Sequence, residues 1–79
     1  RFQTEARAAA KVRHPSVIEI FDIRQARDAI YIVMEQVEGE LLLDTIERRG
    51  PLPLPDVLRI ALHVTRALVV AHKQGIVHR

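Results

Sequence analysis

The chain has 79 residues, a formal net charge of +2, 48% hydrophobic residues and no cysteine. This length allows one small domain at most, and the lack of cysteine excludes disulfide bonds and thiolate metal sites as sources of stability. Basic residues are interleaved with acidic ones, so no nucleic-acid-binding surface is expected. No uninterrupted apolar run approaches the ~18 residues of a membrane span, so no membrane contact is expected from this segment.

Residues 2–12 are predicted to form a helix, because they are rich in Ala, Glu, Arg and Lys and contain neither Gly nor Pro. Phe2, Ala6 and Ala9 recur at helical spacing and therefore share one face. The helix is expected to end by His14, since a residue that precedes a proline is disfavoured in the helical conformation.

Two segments rich in β-branched residues, 17–23 and 29–37, predict strands. A polar connection of about five residues, 24–28, would join them as an antiparallel hairpin. Because an isolated two-stranded hairpin is only marginally stable, a larger sheet is expected in the parent protein.

The rest of the chain predicts mainly helices. Residues 41–49 form a short helix that Gly50 ends, and a longer helix runs from Pro55 to Lys73. The apolar stripe of this longer helix consists of Val57, Ala61, Val64, Leu68 and Ala71. Gly75 is expected to terminate it, and residues 76–78 are expected to form a short strand. The order of elements predicts an α+β fold.

Four segments of the chain resemble, in the same order, four segments of bacterial-type serine/threonine protein kinases. They read RFQTEA, HPSVI, YIVMEQVEG and AHKQGIVHR, at residues 1–6, 14–18, 31–39 and 71–79. In the family these correspond to helix C, the turn and fourth strand after it, the fifth strand with the hinge, and the end of helix E with the entry to the catalytic loop. The resemblance implies a partial protein-kinase-like α+β fold that also includes helix D and a short sixth strand.

The resemblance divides the chain between the two lobes of a kinase. It implies a partial N-lobe at residues 1–37, the hinge at residues 38–40 and a partial C-lobe at residues 41–79. The first residue is Arg1 rather than methionine, and the last motif stops at Arg79. The chain is therefore predicted to be an internal piece of a longer protein.

Two residues are implied in the ATP site through their side chains. Glu5 resembles the helix C glutamate that pairs with a lysine of the third strand, which in turn holds the α- and β-phosphates of ATP. The alternative is a solvent-exposed helix glutamate. Met34 resembles the gatekeeper behind the adenine site, although ordinary strand packing would also account for it.

Other residues are implied in binding the adenine and the ribose. Glu35 and Val37 resemble hinge residues whose backbone meets the adenine edge, through the carbonyl of Glu35 and the N–H and carbonyl of Val37. Asp44, in preference to Glu40, lies where an acid would accept a hydrogen bond from the ribose hydroxyls. The alternative is that both acids stabilise the positive N-terminus of the next helix.

The resemblance implies structural and regulatory roles at both ends of the chain. His78 resembles the histidine of the His-Arg-Asp motif, which belongs to a column of apolar side chains linking the lobes. Ala9 and Ile20 resemble other members of that column. Arg79 resembles the arginine that contacts a phosphorylated activation loop, which implies regulation by phosphorylation. The histidine spacing predicts no metal site.

The implied function of the parent protein is transfer of the ATP γ-phosphoryl group to Ser or Thr of protein substrates, with ATP and Mg²⁺, in the cytoplasm. A membrane anchor of the parent protein outside this segment stays open. The chain contains no catalytic residue of its own, because the Gly-rich loop, the lysine partner of Glu5, the catalytic Asp and the metal-binding Asp are missing. These residues alone are predicted to be inactive and to bind ATP and Mg²⁺ poorly. They are also predicted to self-associate through exposed apolar surface.

Two other functions stay open. A pseudokinase or kinase-like regulatory domain would bind partners or nucleotide without catalysis, and an aspartate directly after Arg79 would argue against it. An unrelated interaction module, whose long amphipathic helix docks into a groove of a partner, would have no ATP-site residues in its flanking sequence.

Overall fold

The computed structural model describes residues 2–79, so Arg1, the first residue of the segment at 1–6, lies outside the described residues. The elements in chain order are α1 (Phe2–Ala9), β1 (Ile20–Ala26), β2 (Ala29–Met34), α2 (Leu42–Arg49) and α3 (Leu54–Lys73). The predicted α+β class and the predicted order of these helices and strands are confirmed. Within residues 2–79, no helix has both the length and the apolar character needed to cross a bilayer.

α1 ends earlier than the predicted boundary at residue 12, in a tightened last turn. The backbone amides of Lys11 and Val12 each donate to a carbonyl three residues earlier, as is common where helices end. Val12 in this turn and Ala6 in the helix are both only 8% exposed. α1 also contacts β1, which places the helix against the hairpin.

β1 and β2 form the predicted antiparallel hairpin, but the connection is tighter than predicted. Ala26 faces Ala29, so Arg27 and Asp28 alone join the strands. The prediction of a five-residue connection at 24–28 is therefore wrong. Strand pairing joins backbone groups, so polar side chains occupy strand positions wherever they face solvent. Arg27 completes the turn with a φ of 55°.

The other end of the hairpin is shorter than predicted. β1 begins at Ile20, because the residues before it form a turn in which the Val17 N–H donates to the His14 carbonyl at 3.0 Å. β2 ends at Met34, which lies opposite Ile20, and the ladder is irregular directly after Ile20, as in a β-bulge. The chain after Met34 therefore leaves the sheet and runs toward α2.

The apolar stripe of α3 is packed only in the C-terminal half of the helix, among the residues that the structure describes. The stripe residues Leu68 and Ala71 are half-buried, and Ala67, which is adjacent to the stripe, is 7% exposed. These three line an apolar cleft of about 390 Å³ between α3 and the segment that follows α1. In the N-terminal half Val57 stays exposed, since no other described element covers it.

The buried apolar core of residues 2–79 consists of Ala6, Val12 and Ala67. Large apolar side chains remain exposed on the hairpin and on both later helices, and they include Phe21, Tyr31, Leu43, Leu58 and Leu62. A core this small supplies little hydrophobic stabilisation, because that stabilisation grows with the apolar area removed from water.

α3 ends in two hydrogen bonds that depend on Gly75. The N–H of Gly75 donates to the carbonyl of His72, and the N–H of Ile76 donates to the carbonyl of Ala71, both at 3.0 Å. This is a Schellman motif, and the φ of 77° at Gly75 is typical of it. The predicted helix end at Gly75 is confirmed. The predicted strand at residues 76–78 is wrong, because a strand needs a neighbouring strand and none of the described residues provides one here.

Replacing Gly75 with alanine is expected to lower the free energy of unfolding by about 1 kcal/mol, because the left-handed conformation is unfavourable for a residue with a Cβ atom. An added Cβ would meet no atom within 4 Å, so the backbone conformation alone causes the loss. Urea unfolding in dilute solution, followed by far-UV circular dichroism, measures the change. The control is Gln74→Ala, at a position with a φ of −93°; equal stability of the two variants would contradict this role of Gly75.

Candidate functional site

The segment between β2 and α2, residues 35–41, carries backbone polar groups that are left open by the rest of the described chain. The carbonyl of Glu35 and the N–H and carbonyl of Val37 make no hydrogen bond with any of residues 2–79. Val37 is 65% exposed and Glu35 is half-buried. One donor and two acceptors on a short backbone segment suit the edge of a planar heterocycle with complementary groups.

Glu35 attaches the start of this segment to the start of β1. Its N–H donates to the carbonyl of Glu19 at 2.9 Å, and the N–H of Glu19 donates to Oε1 of Glu35 at 2.8 Å. The side chain of Glu19 forms an ion pair with Arg13 at 3.1 Å. Residue 35 is therefore held through both its main chain and its side chain, directly before the open backbone groups.

Glu40 attaches the other end of the segment to α2. Its carboxylate accepts hydrogen bonds from Arg48 Nη2 at 2.7 Å, from Arg48 Nε at 3.1 Å and from Thr45 Oγ1 at 2.8 Å. The bond from Arg48, and then the bond from Thr45, lower the pKa of the Glu40 carboxyl, and the same ion pair raises the pKa of Arg48. Gly39, with a φ of 146°, adopts the backbone conformation that this change of direction requires.

Asp44 is the other acid near this segment. It lies in the first turn of α2, is exposed, and makes no hydrogen bond with the part of the chain that the structure describes. Both carboxylate oxygens of Glu40, in contrast, are already engaged. Asp44 can therefore accept a hydrogen bond from a ligand without breaking an ion pair. Its position also suits the positive end of the α2 dipole, so the two predicted roles are compatible.

Met34 and Ile20 lie together at the end of the sheet. Met34 is the last residue of β2 and is 44% exposed, and the half-buried Ile20 is its partner in the strand register. Both are next to the open segment, because Glu35 follows Met34 directly. Their roles as gatekeeper and as a member of the apolar column stay predictions.

Glu5 and Arg79, which the resemblance assigns to different partners, form an ion pair with each other. Nη2 of Arg79 lies 3.1 Å from Oε1 of Glu5, and the two side chains are 70% and 56% exposed. Water and dissolved salt screen such an exposed pair, so it contributes little to stability. Each residue can therefore exchange its present partner for another with little loss of free energy.

Two of the three residues predicted to form an apolar column line the same cleft. Ala9 and His78 line the cleft between α3 and the segment after α1. Ile20 instead lines a separate depression between α1 and β1.

The described residues do not offer a donor set for a metal ion. Within residues 2–79, no three His, Asp or Glu side chains lie close enough together to hold one. The Mg²⁺ that the resemblance implies requires several oxygen ligands around one point. These residues do not fit that ion.

Four polar residues at the site were missed by sequence reasoning: Arg13, Glu19, Thr45 and Arg48. Arg48 lies eight residues after Glu40, which is outside the three- and four-residue spacing at which helical side chains meet. Arg13 and Glu19 meet across a turn. Hydrophobic periodicity carries no signal for either contact, because it reports which face is buried and not which polar atoms pair.

Comparison with known proteins gives one consistent result. The family described as protein kinase domain matches residues 1–79. The chain is 44% identical to a "probable serine/threonine-protein kinase" of Clostridium perfringens and 40% identical to the serine/threonine-protein kinase PrkC of Bacillus subtilis. It is 44% identical to the serine/threonine-protein kinase pkn3 of Myxococcus xanthus. Each match includes the whole chain but spans only 12%, 12% and 15% of the respective relative.

Replacing Arg48 with glutamine is expected to raise the pKa of the Glu40 carboxyl toward its ordinary value of 4.5, because the largest cause of the lowered pKa is removed. The pKa of Glu40 is lower in the folded chain than in the unfolded chain. The ion pair therefore stabilises α2 fully above about pH 4.5, and this contribution is lost as the pH falls through the folded pKa.

An NMR titration of the Glu40 side-chain carboxyl carbon measures this pKa in both proteins. Glu47→Gln, which changes an exposed acid on the same helix, is the control and is expected to leave the Glu40 titration unchanged. An Arg48→Gln variant in which Glu40 titrates as it does in the parent chain would contradict the assignment.

Proposed function

The chain belongs to the protein kinase domain family, and we propose that it is the central segment of a serine/threonine kinase. The kinase transfers the γ-phosphoryl group of ATP to serine or threonine side chains of protein substrates. The observation that carries the proposal is the open backbone of residues 35–37, in a chain that matches the family over its whole length. The names of its relatives support serine/threonine specificity.

The adenine ring binds to the open backbone groups. The carbonyl of Glu35 accepts a hydrogen bond from the 6-amino group, and the N–H of Val37 donates to the adjacent ring nitrogen. Backbone groups that form hydrogen bonds within the sheet would be unavailable to a ligand. The carbonyl of Glu35 and the N–H of Val37 form no hydrogen bond with residues 2–79. Met34 forms the wall behind the ring, where its flexible thioether adapts to a flat apolar surface.

The ribose hydroxyls donate to Asp44. The support for this assignment is the contrast between the two acids, because Glu40 is bound by Arg48 and Thr45 whereas Asp44 has an exposed carboxylate. A ligand that recruited Glu40 would first have to break a charge-assisted hydrogen bond of 2.7 Å to Arg48.

Glu5 pairs with a lysine from another part of the kinase domain, and Arg79 contacts a phosphorylated activation segment. The exposed ion pair that joins Glu5 to Arg79 supports this proposal, because screening by water makes it easy to exchange. Ala9, Ile20 and His78 contribute to the apolar column between the lobes.

The open segment also marks the division between the lobes. Residues 1–37 belong to the N-lobe, residues 38–40 to the hinge and residues 41–79 to the C-lobe. The kinase acts in the cytoplasm, where ATP and Mg²⁺ are available.

A complete kinase domain that carries residues 1–79 is expected to phosphorylate a general substrate such as casein on serine and threonine, whereas these residues alone are expected to show no transfer above background. Phosphoryl transfer depends on positioning and on charge stabilisation around the phosphates, which the described residues do not supply. Transfer of radioactive phosphate from ATP, followed by phosphoamino acid analysis, measures both. A domain that binds ATP without transferring phosphate would indicate a pseudokinase, and activity of the 79 residues alone would contradict the proposal.

The isolated chain is expected to self-associate, because large apolar side chains are exposed on four of its elements. Sedimentation velocity over a range of concentrations measures this. Leu58 and Leu62 are 61% and 47% exposed, one helical turn apart, so Leu58→Glu combined with Leu62→Glu is expected to weaken association more than about tenfold. The matched control is His63→Glu combined with Arg66→Glu, on the polar face of the same helix. A monomeric parent chain at every concentration would show the prediction to be wrong.

A further inference from the structure

The last rung of the β1–β2 ladder is incomplete in an unusual way. Beyond the pair Ile20 and Met34, the next residues are Glu19 and Glu35. The Glu35 N–H donates to the Glu19 carbonyl, but the Glu19 N–H does not donate to the Glu35 carbonyl in return. It donates to the Oε1 atom of the Glu35 side chain, at 2.8 Å.

An ordinary antiparallel ladder would not have this arrangement. Two residues that form one backbone hydrogen bond of a closely spaced pair normally form both, each donating its N–H to the carbonyl of the other. Here the side chain of Glu35 takes the place of its own carbonyl as the acceptor. A carboxylate is the stronger acceptor of the two because it carries a full charge.

A third residue reduces the repulsion between the charges at this contact. Glu19 and Glu35 are opposite each other, and like charges on opposite strands repel. The Arg13 guanidinium lies 3.1 Å from the Glu19 carboxylate and neutralises it. The Glu35 carboxylate is therefore available to bind the backbone of residue 19.

We propose that the Glu35 side chain is a positioning group for nucleotide recognition: by accepting the Glu19 N–H, it leaves the Glu35 carbonyl available to the 6-amino group of adenine. This inference rests on the proposed function, in which that carbonyl meets the adenine edge. It adds a specific task for the side chain, whereas the hinge contact itself uses only the backbone. Without the carboxylate, the Glu19 N–H closes the ladder onto the Glu35 carbonyl and competes with the ligand.

The test uses a complete kinase domain that carries residues 1–79 and two nucleotides. ATP has the 6-amino group, while purine riboside triphosphate lacks it and keeps the adjacent ring nitrogen. Dissociation constants for both, from isothermal titration calorimetry, give the preference for the amino group. In Glu35→Ala, the affinity for ATP is expected to fall about tenfold and that for purine riboside triphosphate less than about twofold.

Three further variants make the experiment decisive. Glu35→Gln keeps an acceptor oxygen at the same reach and is expected to restore most of the preference for ATP. Glu35→Met keeps the side-chain length without a strong acceptor, so it is expected to behave like Glu35→Ala and replaces it if the alanine variant does not fold. Glu47→Ala, an exposed acid on α2, is the matched control and is expected to bind both nucleotides like the parent domain.

Each outcome decides between the hypotheses. An equal loss of affinity for both nucleotides in Glu35→Ala and Glu35→Met would assign the side chain a general structural role and overturn the inference, and so would unchanged binding of both. A parent domain that prefers ATP over purine riboside triphosphate but transfers no phosphate would contradict the proposed function. The inference would still be tested in that case, because its readout is the loss of that preference in Glu35→Ala. A parent domain without any preference for the 6-amino group would overturn the inference by itself.

Discussion

The backbone pairing of β1 with β2 is the interaction on which the candidate site depends. It sets Ile20 opposite Met34 and makes Glu19 and Glu35 the next pair. Side chains in a strand alternate between faces, so a shift of the register by one residue would turn each of them to the other face. The Glu35 carboxylate would then no longer reach the Glu19 N–H. The position at which the chain leaves the sheet, and therefore which backbone groups are open, follows from this register.

Hydrogen bonds hold the segment between β2 and α2 at both ends, whereas backbone polar groups at its centre have no hydrogen-bond partner in residues 2–79. At one end Glu35 binds the backbone of Glu19, and at the other Glu40 binds Arg48 and Thr45. The backbone groups of Val37 lie between these two carboxylates and have no partner in residues 2–79. Fixed ends and an open centre suit a ligand-binding segment, because a ligand can bind the centre without displacing existing hydrogen bonds.

Local sequence signals predicted the helices more accurately than the hairpin. α2 and α3 lie within one residue of their predicted bounds, since Gly50, Gly75 and the prolines that precede α3 act through local backbone geometry. The strand boundaries were less accurate, because pairing depends on a partner and not on the side chains of one segment. Arg24 and Gln25 are polar and still pair, whereas residues 76–78 are largely apolar and do not.

The sequence by itself determined the α+β class, the order of the elements, the ends of the later helices and, through its four motifs, the resemblance to protein kinases. These depend on composition, on periodicity and on residues close together in the chain. Only the tertiary structure decided which polar atoms meet: Glu35 with the N–H of Glu19, Glu40 with Arg48, and Glu5 with Arg79. Such contacts depend on the strand register and on how the chain returns to itself. A one-dimensional pattern does not contain that information, because many folds would satisfy the same spacing of apolar and charged residues.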